Sequence, residues 1–154
     1  MNRLRLITAV NNNMKHINMG EWDIVDTNSD RKILFTYGLA TCTGIIGINK
    51  KSKVCFLGHF APRQSISKNL LFVQKFLKRF YGDFDEKFEI YYTGGINENE
   101  VKKAILSNEE LREIFNSEVE RIRVLEGIGI NCETLEIFEY SRFGNMNDIS
   151  IKKK

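Results

Sequence analysis

Residues 33–62 read ILFTYGLATCTGIIGINKKSKVCFLGHFAP, and the fold turns on how this stretch pairs with itself. It is largely apolar and rich in β-formers, broken by the polar, turn-like Asn49-Lys50-Lys51-Ser52. Two such runs around a short polar loop are the pattern of a β-hairpin. A loop at 49–52 sets Ile48 against Lys53 and, counting outward, Cys42 against His59. Directly opposed residues point to one face with Cβ atoms roughly 4.5–5.5 Å apart, so the hairpin is expected to hold a thiol beside an imidazole. A slip of one residue would put the two on opposite faces.

Before the hairpin, Leu4, Leu6, Thr8 and Val10 alternate with polar residues as an opening strand would, and Asn11-Asn12-Asn13 ends it. His16 lies in a polar stretch and is expected to be an exposed surface histidine. Gly20 to Val25 reads as a turn into a strand, and Asp26 to Arg31 as a polar loop. After the hairpin, Pro62 marks a strand end, because it has no N–H to donate. Ile66, Leu70, Val73, Leu77 and Phe80 recur at helical spacing and are read as a core-packing stripe. Ser65 or Ser67 caps that helix, Gly82 suits the position past its end, and Lys75, Lys78 and Arg79 favour its dipole.

Phe88 to Tyr92 is a buried strand followed by a tight turn at Thr93-Gly94-Gly95. Asn97 with Glu100 has the form of a capping box for a short helix, and Ser107 with Glu110 repeats it for a helix or kinked continuation to about Val119. Arg121 to Leu125 is a further strand candidate. Thr134 to Tyr140 and Asp148 to Lys152 read as a last strand pair about a turn at Phe143-Gly144-Asn145. This order predicts a single α+β domain over 1–154, a layered sandwich of mostly antiparallel or mixed β-sheet with flanking helices.

Composition narrows the function classes. At 154 residues the chain can bury a real core, and 42% hydrophobic with 28% charged residues is ordinary for a globular protein. The net charge of +3 is mild, in part from Lys152-Lys153-Lys154, and no basic stripe interleaves with aromatics, so nucleic-acid binding is not expected. No apolar run approaches the ~20 residues of a membrane span, and the N-terminal apolar segment is too short for a signal peptide. A cytoplasmic location without membrane insertion is therefore expected. Cys42, Cys55 and Cys132 form no CxxC pair, which argues for reduced thiols. Cys42, Cys55 and His59 match no zinc spacing and lack a fourth ligand, so neither metal nor cofactor is expected.

The chemistry expected of the opposed pair follows from thiol acidity. An imidazole that takes the thiol proton makes a nucleophilic thiolate. The other ring nitrogen must be held, or the wrong tautomer faces the sulfur. Thr36 is the candidate holder, through its hydroxyl or its carbonyl. Gly38, Ala40 and Thr41 are small and precede the cysteine, leaving room for a substrate. Backbone N–H groups there, with Thr41 adding its hydroxyl, are candidates to bind an oxyanion beside Ala40 and Thr41.

Gly20-Glu21-Trp22, Thr36 to Cys42, Gly58-His59-Phe60 followed by Pro62, and Gly94-Gly95 together resemble the chemoreceptor glutamine deamidases (CheD). That family carries a GE-aromatic segment, a T-x-x-LGSC motif, a G-x-HF-x-x-P motif and a later Gly-Gly. The resemblance covers about residues 20–95. It implies a CheD-like fold, shared with deamidating toxins such as cytotoxic necrotising factor, with Cys42 as nucleophile, His59 as base and Thr36 orienting the histidine. The implied activity is hydrolysis of a protein glutamine side chain to glutamate with release of ammonia. The implied partners are a glutamine-bearing, chemoreceptor-like protein and a chemotaxis adaptor or phosphatase. The departures are Ala40-Thr41 where the family has Gly-Ser, a proline one residue earlier, and a poor match to the family's C-terminal glycine-rich segment near Phe138 to Asn145. Two other readings stand beside the deamidase: a transglutaminase or thiol hydrolase using the same acyl-enzyme, and a non-catalytic CheD-like binding module.

Overall fold

The backbone of residues 33–62 makes three strands rather than two, and they fall in different sheets. The structure is a computed structural model that describes residues 13–95, 98–140 and 147–149. Its elements run β1 (Met14–His16), β2 (Trp22–Val25), β3 (Ile33–Tyr37), β4 (Thr43–Asn49), β5 (Val54–Phe60), α1 (Ile66–Tyr81), β6 (Phe88–Gly94), α2 (Glu98–Leu106), α3 (Glu109–Ile114), β7 (Phe115–Arg121), β8 (Gly127–Asn131), β9 (Glu136–Tyr140) and β10 (Asn147–Ile149). One five-stranded sheet has the order β1-β3-β8-β9-β10 and the other β2-β5-β4-β6-β7. Both are mixed: β1–β3 and β6–β7 are parallel, and the remaining pairs antiparallel. The chain is thus α+β, with two mixed sheets and three helices among the described residues, an arrangement compatible with a layered sandwich.

Alternation along the strands builds two large cores and a small cluster of Met14, Ile33 and Phe138. Leu34, Ile128, Ile130 and Ile137 of the first sheet meet Val25, Ile46, Ile48, Cys55, Leu57 and Tyr91 of the second. On the other face of the second sheet, Ile45, Phe56, Phe60, Ile90 and Tyr92 pack with Leu70, Val73, Leu77, Val101, Ile105 and Leu111 of the helices. The central strands β4 and β5 are therefore buried along their whole length, which explains their unbroken apolar run.

The hairpin register differs from the expected one. Asn49 is the last ladder residue, opposite Val54, and the loop is Lys50 to Lys53. The cause is the Asn49 side chain, which is buried and accepts from the Ser52 amide and hydroxyl while donating to the Glu86 carbonyl. The Lys53 amide closes the loop onto the Asn49 carbonyl at 2.9 Å. In consequence Gly44, not Cys42, faces His59.

Helix α1 forms as expected, capped by Ser65 accepting from the Lys68 amide and by Gly82 donating to the Lys78 carbonyl. Its buried row is Leu70, Val73, Gln74 and Leu77, whereas Phe80, expected in the core, is 62% exposed. The α3 cap is Asn108 rather than Ser107, its side chain accepting from the Glu110 and Leu111 amides. That helix stops at Ile114, and the segment expected to continue it is β7, beside β6. Residues 122–125 lie beyond the end of β7 and form no strand. β8 was hidden in sequence by Gly127 and Gly129; a Cβ on Gly129 would sit 2.2 Å from the Phe138 ring. The final pair forms as β9 with β10. The expected strand at Leu4 to Val10, the Asn97 cap and the turn at Phe143 to Asn145 lie outside the described residues. No helix among the described residues is long and apolar enough to cross a membrane.

Candidate active site

Thr36 and His59 come from different sheets and meet between them. On β3, Leu34 and Thr36 point into the space between the sheets; on β5, Cys55, Leu57 and His59 do. The Thr36 hydroxyl lies 2.6 Å from His59 Nδ1 and 2.7 Å from the Ile17 carbonyl, and both side chains are buried. The Ile17 carbonyl can only accept, so it takes the single hydroxyl hydrogen. The hydroxyl oxygen must then accept from Nδ1–H, which leaves the lone pair on Nε2. Thr36 thus acts on the ring through its side chain. Nε2 is buried and has no hydrogen-bond partner among the described residues. Burial lowers the His59 pKa below the ordinary imidazole value, and the charge of His16 adds to this, so the neutral ring with its bare Nε2 prevails at pH 7.

The main chain of His59 is fixed as firmly as its ring. Its N–H donates to the Glu21 carbonyl at 2.9 Å, and its carbonyl accepts from the Gly20 amide at 2.7 Å. These bonds come from a turn in which the Glu21 amide returns to the Asn18 carbonyl and the Glu21 carboxylate accepts from the Asn18 amide. Gly20, at φ 88°, takes the left-handed position that such a turn requires. Met19 stands at the tip of the turn, 64% exposed.

Cys42 lies one residue before β4 and shares the inter-sheet core with Leu39, Ile46 and Leu57. It is on the same face as His59 but diagonal to it, two residues from the directly opposed Gly44. Such diagonal neighbours have Cα atoms ~7–8 Å apart, within reach of an imidazole. The thiol does not hydrogen-bond to the ring. It points at the Met19 sulfur, 3.6 Å away. Gly44 contributes no side chain between the two groups; a Cβ there would press on Leu39 at 3.2 Å.

The loop that carries Cys42 is set by Gly94 and Gly95 at the end of β6. Gly94 has φ 114°, and a Cβ on it would lie 2.0 Å from the Cys42 carbonyl oxygen. The Gly95 amide donates to that carbonyl at 3.2 Å. No acceptor among the described residues takes the amides of Ala40, Thr41 or Cys42. Ala40 and Thr41 are exposed.

A cavity of about 410 Å³ opens beside the imidazole, with His59, Ile17, Met19, Tyr37, Gly38 and His16 in its wall. Cys42 is not on that wall, but its sulfur contacts Met19, which is. A second cavity, of about 280 Å³, is bordered by Ala40, Gly94, Gly95, Arg121 and Arg123. His16, read from sequence as a surface residue, is half-buried and stacks on Tyr37 with centroids 4.7 Å apart. Its role as a wall, and that of Met19 as a cover, had no signal in sequence, since both depend on β1 pairing in parallel with β3. Cys55 and Cys132 are buried apart from the cavity; burial raises both thiols, that of Cys132 to about 11. Among the described residues no group of three or more His, Cys, Asp or Glu is arranged to hold a metal ion.

Compared with known proteins, the chain matches no family model and no curated protein.

Proposed function

We propose that this chain is a cysteine-dependent amidohydrolase that converts a glutamine side chain of a protein partner to glutamate, in the manner of the CheD-like deamidases. The observation that carries the reading is the Ile17–Thr36–His59 relay, which leaves a bare, buried Nε2 on the face that Cys42 shares. A merely structural histidine has both nitrogens satisfied; an unsatisfied one needs a reason.

The reaction begins when Met19 yields and the Cys42 side chain turns toward His59. Nε2 takes the thiol proton, and the thiolate attacks the carboxamide carbon. The carbonyl oxygen becomes an oxyanion, held by the amides of the 40–42 loop, with the Thr41 hydroxyl beside it. The C–N bond then breaks, and the Nε2 proton leaves with the nitrogen as ammonia. A water, deprotonated by the same Nε2, hydrolyses the thioester, and the thiol recovers its proton. The partner surface gains one negative charge. Ammonia release from a glutamine-bearing protein, lost in Cys42→Ala, is the expected result; release that persists in the alanine variant would sink the mechanism.

One observation favours a second reading. The Cys42 sulfur rests on Met19 rather than on His59. A binding module that keeps the fold without turnover would hold it there permanently. The two readings separate by alkylation, since only the enzyme activates Cys42 above Cys55 and Cys132.

A further inference from the structure

Helix α1 carries a second apolar row, on its solvent side. Phe72, Phe76 and Phe80 recur at intervals of four and are 51%, 38% and 62% exposed. They span ~12 Å along the helix axis. Phe80 packs at a tilt against Phe76 with centroids 4.3 Å apart, and the edge of Trp22 from β2 extends the patch at 5.7 Å from Phe76. Exposed aromatic patches of this kind mark interaction surfaces.

The charges beside the row say what would cover it. Lys68, Lys75 and Arg79 lie on the adjoining face at helical spacing, all exposed, and Arg79 sits 5.8 Å over the Phe80 ring. Residues 66–81 contain no acid. None of the ion pairs among the described residues involves these three cations. A second copy would bring like charges together. A flat anionic lipid surface would match cations on both flanks of the row, whereas here the far flank is Trp22 and the core.

We propose that this face docks an acidic amphipathic helix of a partner protein, its apolar side chains on Phe72, Phe76, Phe80 and Trp22 and its carboxylates along Lys68, Lys75 and Arg79. The proposal does not depend on chemistry at Cys42. Trp22 is the only tryptophan, so its fluorescence reports the patch directly. The test titrates the full chain with a synthetic helical peptide bearing leucines on one face and glutamates along one edge. Saturable change in Trp22 emission is expected, weakened at least tenfold in Phe72→Ser and in the Lys75→Glu/Arg79→Glu double variant, and weakened by salt. These positions are exposed, and circular dichroism checks that each variant is folded. No response to the peptide overturns the proposal. So does binding only to phosphatidylglycerol vesicles, self-association only in sedimentation, or an affinity that neither variant changes.

Discussion

His59 and Cys42 share one face of one hairpin, yet they are held in opposite ways. The histidine is tied at its amide, its carbonyl and Nδ1, and the hydroxyl that holds Nδ1 is itself held by Ile17. The cysteine has its carbonyl on Gly95 and its sulfur against an exposed methionine. The difference teaches where the site stores its order. The imidazole is fixed in tautomer and direction by hydrogen bonds, whereas the buried thiol rests on Met19 and the apolar core. In the proposed reaction a carboxamide would have to displace Met19 to reach the sulfur, so substrate entry and exposure of the thiol would be one event.

The sharpest way to break this contrast is to remove the fixed half. His59→Asn is expected to lower ammonia release roughly 10²–10⁴-fold, the range for loss of a positioned base, with the fold retained by circular dichroism. Retention of full activity would show that the ring does no proton transfer. Thr36→Val should cost less. It strips the Ile17 carbonyl and Nδ1–H of their partner, worth about 1–3 kcal/mol, or ten- to hundredfold in rate if the tautomer relaxes. Urea denaturation and steady-state rates should fall together, and an unchanged rate would remove Thr36 from the account.

Gly94→Ala tests what anchors the loop that carries Cys42. The φ of 114° alone costs about 1–3 kcal/mol in an L-residue, and the Cys42 carbonyl must also give way. Thermal melting should show the loss, with reduced activity in whatever remains folded. A smaller effect is expected of pH. The folded pKa of His59 lies below its unfolded value because burial disfavours the cation. The unfolded chain therefore binds the extra proton first. Stability conferred by the neutral ring is intact above pH ~6.5 and declines as pH falls toward the lowered folded pKa. Ammonia release should fall over the same acidic range, and a rate that rises on acidification would contradict the base assignment. His16 is shifted in the same direction, chiefly by burial, so the His59→Asn variant is needed to separate the two. Met19→Ala should have the least effect on turnover, under tenfold, since it removes one weak sulfur contact.

Much of this was legible in the sequence, and the limits have physical causes. The hairpin and helix α1 with both caps followed from apolar runs, period and turn chemistry, whereas Thr36 was joined to His59 by the need to hold the second ring nitrogen and by the family resemblance. The register was displaced because Asn49, a turn residue by type, uses its side chain to bind the loop from a buried ladder position. The displacement by two residues kept Cys42 on the right face but moved it off the rung opposite His59. β7 was taken for helix because Asn116, Glu118 and Glu120 are polar and exposed at an edge strand, where alternation is easily read as a charged helix face. Phe80 was assigned to the core because its spacing fits that row, whereas the helix turns it to solvent with Phe72 and Phe76. Met19 and His16 reach the site through non-local pairing, which no local pattern encodes.

The central claim is that Nε2 of His59 serves the sulfur of Cys42, and alkylation reads it most directly. Native protein at pH 7 would be treated with iodoacetamide and each cysteine followed by mass. Cys42 is predicted to react well ahead of Cys55 and Cys132, and to lose that lead in His59→Asn. Equal sluggishness of all three thiols, or a lead that survives loss of the imidazole, would contradict the account.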